Sequence, residues 1–348
     1  MLKFLKIYAT TPESEPQAIS EKGKVDGIDY YNKVINTARW SEVHGFVGTL
    51  IYSNNSLVDG LSVAQIILEH TNSLIPLVAI NPVYLAPYTL AKRFATLSFM
   101  YKRRIDINWI AGGFQNDLKS LGDETPHDER YERLFDYAQL FKGLLKSKGL
   151  FSHTGNYYKV DKIKMMPSIP AEMIPVELIS GTSEAGIETA DKLGATKVKY
   201  AKPLSEYKGV KPNKNYDMGV RFGIIARETS EEAWGIANQR FPDDLKGKMA
   251  HTMATKASDS KWHEQLSKID KKEEKNEVYW LKPFHTYKTF CPYLVGTHAE
   301  VAEQLAGYVK LGHTSIILDI MQEEDDFFHC RQVFETVELL TKDIVTPN

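Results

Sequence analysis

Short apolar runs rich in β-branched residues recur along the chain, separated by stretches whose apolar positions repeat every three to four residues. The runs are Phe4–Tyr8, Phe46–Ile51, Ile75–Ile80, Ile105–Ile110, Pro175–Ser180, Thr196–Tyr200, Val220–Ala226 and Ser315–Ile320. Such alternation is the pattern of βαβ units. Several runs are apolar almost throughout, as parallel strands covered on both faces must be. Eight of them match the strand count of a closed (β/α)8 TIM barrel, one domain spanning residues 1–348. An open doubly wound sheet needs fewer strands and usually a glycine-rich first turn. Neither GxGxxG nor GxxxxGKS/T occurs in the chain, so the barrel is the expected fold.

Helices are placed by their punctuation. From Pro87 to Tyr101, the residues Leu90, Phe94, Leu97 and Tyr101 form one apolar stripe. Thr125-Pro126-His127-Asp128 reads as an N-cap followed by proline at the first helical position, opening a helix toward Lys146. Thr229-Ser230-Glu231-Glu232 and Thr297-His298-Ala299-Glu300 open two more, the second a capping box, with Gly312 closing its helix. Two stretches break the alternation. Residues 151–160 carry a turn between β-prone residues and predict a surface hairpin. Residues 241–282 lie between strands seven and eight, are polar and charged, and read either as a mobile lid or as a solvated helical insertion.

Composition narrows the function. With 43 basic and 45 acidic residues the net charge is −2, which gives no basic field for nucleic acid or an anionic membrane. Two cysteines, Cys291 and Cys330, supply neither a disulfide framework nor a zinc site, and no metal is expected. The first residues contain no signal-like apolar region and no apolar run approaches ~18 residues, so a cytoplasmic protein without a membrane span is expected.

Candidate chemistry sits at the C-terminal ends of the expected strands. Ser180-Gly181-Thr182-Ser183 is a small-residue turn before a helix, suited to a phosphate on backbone N–H groups and two hydroxyls, or equally to ordinary helix capping. Asn108 ends a buried strand, where a barrel places functional groups, although a buried amide also serves neighbouring backbone. His127 and Tyr131 are four residues apart and share a helix face, as a site pair or as a structural contact. Arg221 lies within a strand, where a charge needs either a carboxylate, such as Asp217 or Asp319, or an anionic ligand.

In their order and spacing these segments resemble the luciferase-like, flavin-dependent monooxygenases, nearest the alkanesulfonate monooxygenase branch. The likeness runs through Leu77-Val78-Ala79-Ile80-Asn81-Pro82, Ala91–Leu97, Asn108–Gly112, Leu121-Gly122 and His127-Asp128-Glu129-Arg130-Tyr131. It continues at Ser180–Ser183, Arg221, Arg227-Glu228-Thr229, Glu232-Ala233-Trp234, Leu294–Thr297 and Leu311-Gly312. The resemblance implies a barrel that binds reduced FMN (FMNH2) noncovalently at its C-terminal mouth. A separate NAD(P)H:flavin reductase would supply that flavin. Reaction with O2 would form a C4a-(hydro)peroxyflavin that transfers one oxygen atom to a small organic substrate. Asn81, Asn108, His127, Tyr131 and Ser180-Gly181-Thr182-Ser183 then stand as cofactor-site residues, and Arg221, His127 and Asn108 as catalytic candidates. A homodimer or homotetramer is expected.

The chain departs from the alkanesulfonate enzymes at three positions, with Leu57 for a cysteine, Gly223 for a histidine and Met321 for a tyrosine. A simple sulfonate is therefore not the expected substrate. Two other readings stay open: a deazaflavin-dependent oxidoreductase, and a flavin-binding protein of the same fold without catalysis.

Overall fold

The computed structural model describes residues 4–14, 26–113, 115–215, 217–257, 266–267, 269 and 278–345. The barrel strands are β1 (Lys6–Thr10), β2 (Gly48–Ile51), β3 (Ile75–Ile80), β4 (Asp106–Trp109), β7 (Glu177–Ser180), β8 (Thr196–Tyr200), β9 (Met218–Arg227) and β12 (His313–Leu318). All eight expected strands form, with ends within two residues of the expected bounds. They pair in parallel in this order, and β12 pairs with both β9 and β1, which closes the barrel. β5 (Leu150–Thr154) and β6 (Lys159–Lys164) form the expected hairpin. It is held to its neighbouring helix by Asp136, which accepts from the Tyr157 and Tyr158 amides at 2.6 and 3.0 Å.

Helices surround the strands: α1 (Gly27–Val43), α2 (Gly60–His70), α3 (Pro87–Tyr101), α4 (Gln115–Ser120), α5 (His127–Lys146), α6 (Glu184–Leu193), α7 (Ser230–Arg240), α8 (Leu245–Ala257), α9 (Lys282–His285), α10 (His298–Lys310) and α11 (Glu324–Val345). The Thr297–Glu300 capping box is present at α10, and the Thr229 hydroxyl accepts from the Glu232 amide to open α7. The start of α5 corrects the expectation. Its N-cap is Pro126 with no side-chain cap, because the Thr125 hydroxyl donates instead to Asp123 at 2.6 Å. The described residues of the 241–282 insertion include α8, the short strand β10 (Tyr279–Trp280) and the first residue of α9, while the charged run Lys271–Lys275 lies outside the described residues. Among the described residues no helix is long and apolar enough to cross a membrane.

Strand β9 carries a feature the pattern did not predict. Its first half pairs with β8 and β12 inside the barrel, while Gly223–Arg227 pairs with β11 (Tyr293–Thr297) outside it. Two short strands, β11 and then β10, are thus added outside the barrel where β9 outruns its neighbours.

The barrel interior is packed, as side chains filling so narrow a barrel must be. Tyr8, Leu50, Leu77, Leu178, Val198 and Ile317, one from each of six strands, form one buried cluster. Burying each contributes roughly 1.5–3 kcal/mol. This layer is the floor of the site.

Candidate active site at the barrel mouth

Side chains two residues apart on a strand point to the same side. Two residues beyond the packed layer, therefore, the strands again face inward, now toward the open C-terminal mouth. Leu77 is followed by Ala79, Leu178 by Ser180, Val198 by Tyr200 and Ile317 by Asp319; on the other two strands Asp106 precedes Asn108 and Gly219 precedes Arg221. Ala79, Asn108, Ser180, Tyr200 and Arg221 line a cavity of about 230 Å3, closed at its rim by Asn81, Tyr52–Asn54, Leu57, Ile110–Gly113, His127, Tyr131 and Phe290.

One wall is built by the turn before α6. The Ser180 hydroxyl donates to the Asn108 side-chain oxygen at 2.9 Å, tying the ends of β7 and β4 together. A Cβ on Gly181 would lie 2.9 Å from the Tyr131 hydroxyl, and one on Gly186 3.1 Å from it, so both glycines make room for this phenol. Ser183 is the N-cap of α6 and accepts from the Gly186 amide at 3.2 Å. Its neighbour is different. The Thr182 hydroxyl is buried with no hydrogen-bond partner, and Thr182 lines the cavity. His127, which lines the cavity, stacks obliquely on Tyr131 at 5.3 Å and its Nδ1 sits 2.6 Å from Asp128 Oδ1. Arg130 braces the same wall by donating to the carbonyls of Thr125 and Gly112 at 3.1 and 3.2 Å.

The opposite wall centres on Arg221, which is 5 % exposed. Its carboxylate partner is Asp319 at 3.1 Å, whereas Asp217 accepts from Asn213 instead. Asp319 also accepts from Thr289 and, at 2.9 Å, from the Tyr293 hydroxyl. Burial, with the Asp319 charge second, holds the Tyr293 phenol well above its ordinary range, so it remains a donor. The guanidinium carbon lies 4.8 Å from the Tyr52 ring centroid and 5.7 Å from that of Tyr200. Arg221 Nε and the Tyr52 hydroxyl are buried without partners.

Residues 7–315 match the model of a family described as luciferase-like monooxygenase. The chain belongs to the luciferase-like monooxygenase family. It is 33 % identical over 328 residues to the 4-(gamma-L-glutamylamino)butanoyl-BtrI acyl-carrier protein monooxygenase BtrO of Niallia circulans, covering 90 % of this chain and 96 % of that one. Its fold is similar to that of EDTA monooxygenase EmoA from Chelativorans sp. BNC1, at TM-score 0.71 and 14 % identity over 99 % of this chain and 95 % of that one. It is also similar to riboflavin lyase RcaE, solved with modified FMN and riboflavin, at TM-score 0.72 and 16 % identity over 99 % and 93 % of the two chains.

For this member of the luciferase-like family, the geometry brings together all the residues singled out from sequence: Asn81, Asn108, His127, Tyr131, Ser180, Gly181, Thr182, Ser183 and Arg221 line one cavity. Of the three departures only Leu57 is at the cavity. Met321 is buried in the apolar core that also contains Phe327, and Gly223 lies beneath Tyr293. Sequence reasoning missed Tyr52, Tyr200 and Phe290. Tyr200 ends β8 and Tyr52 immediately follows β2, so the strand-end rule applied to every strand finds both. Phe290 comes from the segment between α9 and β11 and carries no such signal.

Proposed function

We propose that the chain is the oxygenating component of a two-component, reduced-FMN-dependent monooxygenase that transfers one atom of O2 to an organic substrate and receives its flavin from a separate NAD(P)H:flavin reductase. One observation carries the reading: Thr182, whose hydroxyl is buried and unpartnered, lines the cavity beside the N-terminus of α6. A phosphate there would take that hydroxyl as a donor, together with backbone N–H groups at the positive end of the helix dipole. Thr182 with the backbone of Gly181 and Ser183 would hold the phosphate. Asn81, Asn108, Ser180, His127 and Tyr131 would surround the ring. Reduced FMN, when bound, supplies the activation of O2 and the reducing electrons.

The protein's own part is binding, orientation and exclusion of water. Leu57, Ile110, Leu118 and Phe290 give the cavity its apolar lining. Arg221, Tyr52 and His127 are its polar lining. The 33 % identical relative acts on an acyl group borne by a carrier protein. That supports an acyl thioester or amide as the substrate class here.

Anaerobic titration tests the reading. Reduced FMN should bind more tightly than oxidised FMN and than reduced deazaflavin F420. Substrate-dependent O2 uptake should then exceed the uncoupled reoxidation of flavin. A preference for the deazaflavin would replace the monooxygenase reading with the oxidoreductase one.

A further inference from the structure

We propose that Arg221 and Tyr52 form a subsite for a neutral oxygen acceptor, the carbonyl of a thioester or amide, and that Asp319 excludes anions from it. This rests on reading the cavity as a substrate-oxygenating site and adds the group by which the substrate is held.

Arg221 and Tyr52 both line the cavity, and Arg221 Nε and the Tyr52 hydroxyl are buried with no protein partner. An unpaired buried donor is costly, and a ligand acceptor that pairs it recovers that cost. The guanidinium is not a free cation. Asp319 is 6 % exposed and accepts from Arg221, Thr289 and Tyr293, the arrangement expected around a carboxylate. Its charge cancels that of Arg221 at the point where a ligand would sit. An incoming anion would gain nothing from the pair as a whole and would meet Asp117 and Glu13 at the cavity lining as well. A carbonyl oxygen keeps the full value of the N–H and O–H donors.

The cluster is built for this chain. Thr289 and Tyr293 both come from the segment between β9 and β12, and the missing side chain at Gly223 gives the Tyr293 ring its place, since a Cβ there would lie 2.2 Å from it.

The test compares two small probes on the FMN-saturated chain by calorimetry: butanoyl-N-acetylcysteamine, a neutral thioester, and butanoate. The wild-type chain should bind the thioester at least tenfold more tightly than the carboxylate. Tyr52→Phe, which removes an unpartnered hydroxyl and leaves the fold intact, should weaken the thioester five- to tenfold with FMN affinity unchanged. Asp319→Asn should narrow or invert the preference by strengthening butanoate. Butanoate binding as tightly as the thioester, unchanged thioester affinity in Tyr52→Phe, or no binding of either probe by a chain that binds FMN would overturn the subsite and leave the flavin reading standing. Failure to bind FMN would overturn both.

Discussion

Gly223 and Tyr293 are register partners at the point where β9 leaves the barrel, and a Cβ on the glycine would stand 2.2 Å from the tyrosine ring. The glycine is thus a seat for a side chain arriving from 70 positions further along the sequence. The ring fills the space and its hydroxyl reaches Asp319, so the absence of a side chain on one strand determines the electrostatics of another.

Gly223→Ala is therefore expected to be an overpacking substitution. The ring is buried and cannot move without releasing its bond to Asp319, so a loss of about 1–3 kcal/mol is expected in urea unfolding. A variant within about 0.5 kcal/mol of wild type would show that the ring relocates freely.

Thr182 and Ser183 are adjacent hydroxyls with opposite expected phenotypes. Ser183 caps α6, so Ser183→Ala should cost about 1 kcal/mol of stability. Thr182→Val removes a buried hydroxyl that bonds to nothing in the protein, so stability should be unchanged or higher. Its effect should fall on reduced FMN, whose affinity should drop by roughly tenfold or more, since a hydrogen bond to a charged acceptor is worth about 1.5–3 kcal/mol. Unchanged affinity in anaerobic titration would remove Thr182 from the phosphate site.

His313 opens β12 with Nδ1 3.1 Å from the Gly219 carbonyl, and burial pushes its pKa down to about 4. The folded chain keeps this imidazole neutral at a pH where the unfolded chain protonates it. Its presence therefore costs no stability above the unfolded value near 6.5 and costs progressively more as pH falls from there to about 4. The full loss is on the order of 3 kcal/mol. His313→Gln should flatten the stability profile between pH 6.5 and 4 relative to wild type. A parallel profile in denaturant titrations would assign the acid sensitivity elsewhere.

The barrel was legible because it depends on local pattern: apolar runs such as Ile75–Ile80 and Thr196–Tyr200 announce buried parallel strands without reference to distant residues. Inward-facing positions at strand ends then follow from alternation alone, which is how Asn108 and Ser180 come together. What stayed hidden depends on partners far apart in sequence. Nothing near Gly223 announces Tyr293, and nothing near Thr125 distinguishes a helix cap from a hydroxyl captured by Asp123. Strand β11 is equally obscure, since Tyr293-Leu294-Val295 has the composition of a barrel strand yet pairs outside the barrel. Asp217 and Asp319 were indistinguishable as partners for Arg221 until the end of β12 placed one beside it.

Arg221 is both half of a buried ion pair and part of the cavity wall, so Arg221→Met confounds the two roles. That change strands Asp319 and should cost up to about 3–5 kcal/mol, moderated by the donors Thr289 and Tyr293 that the carboxylate keeps. Arg221→Lys separates them. Lysine leaves a cation beside Asp319 but lacks the Nε–H and the planar face that lies against Tyr52 and Tyr200. Stability should then fall by only about 1 kcal/mol. If Arg221 serves the substrate, the fraction of reduced flavin that yields product rather than hydrogen peroxide should fall at least tenfold, with FMN affinity retained. Measuring product and peroxide together in the reductase-coupled assay decides it. A lysine variant as well coupled as wild type would confine Arg221 to holding the wall of the barrel.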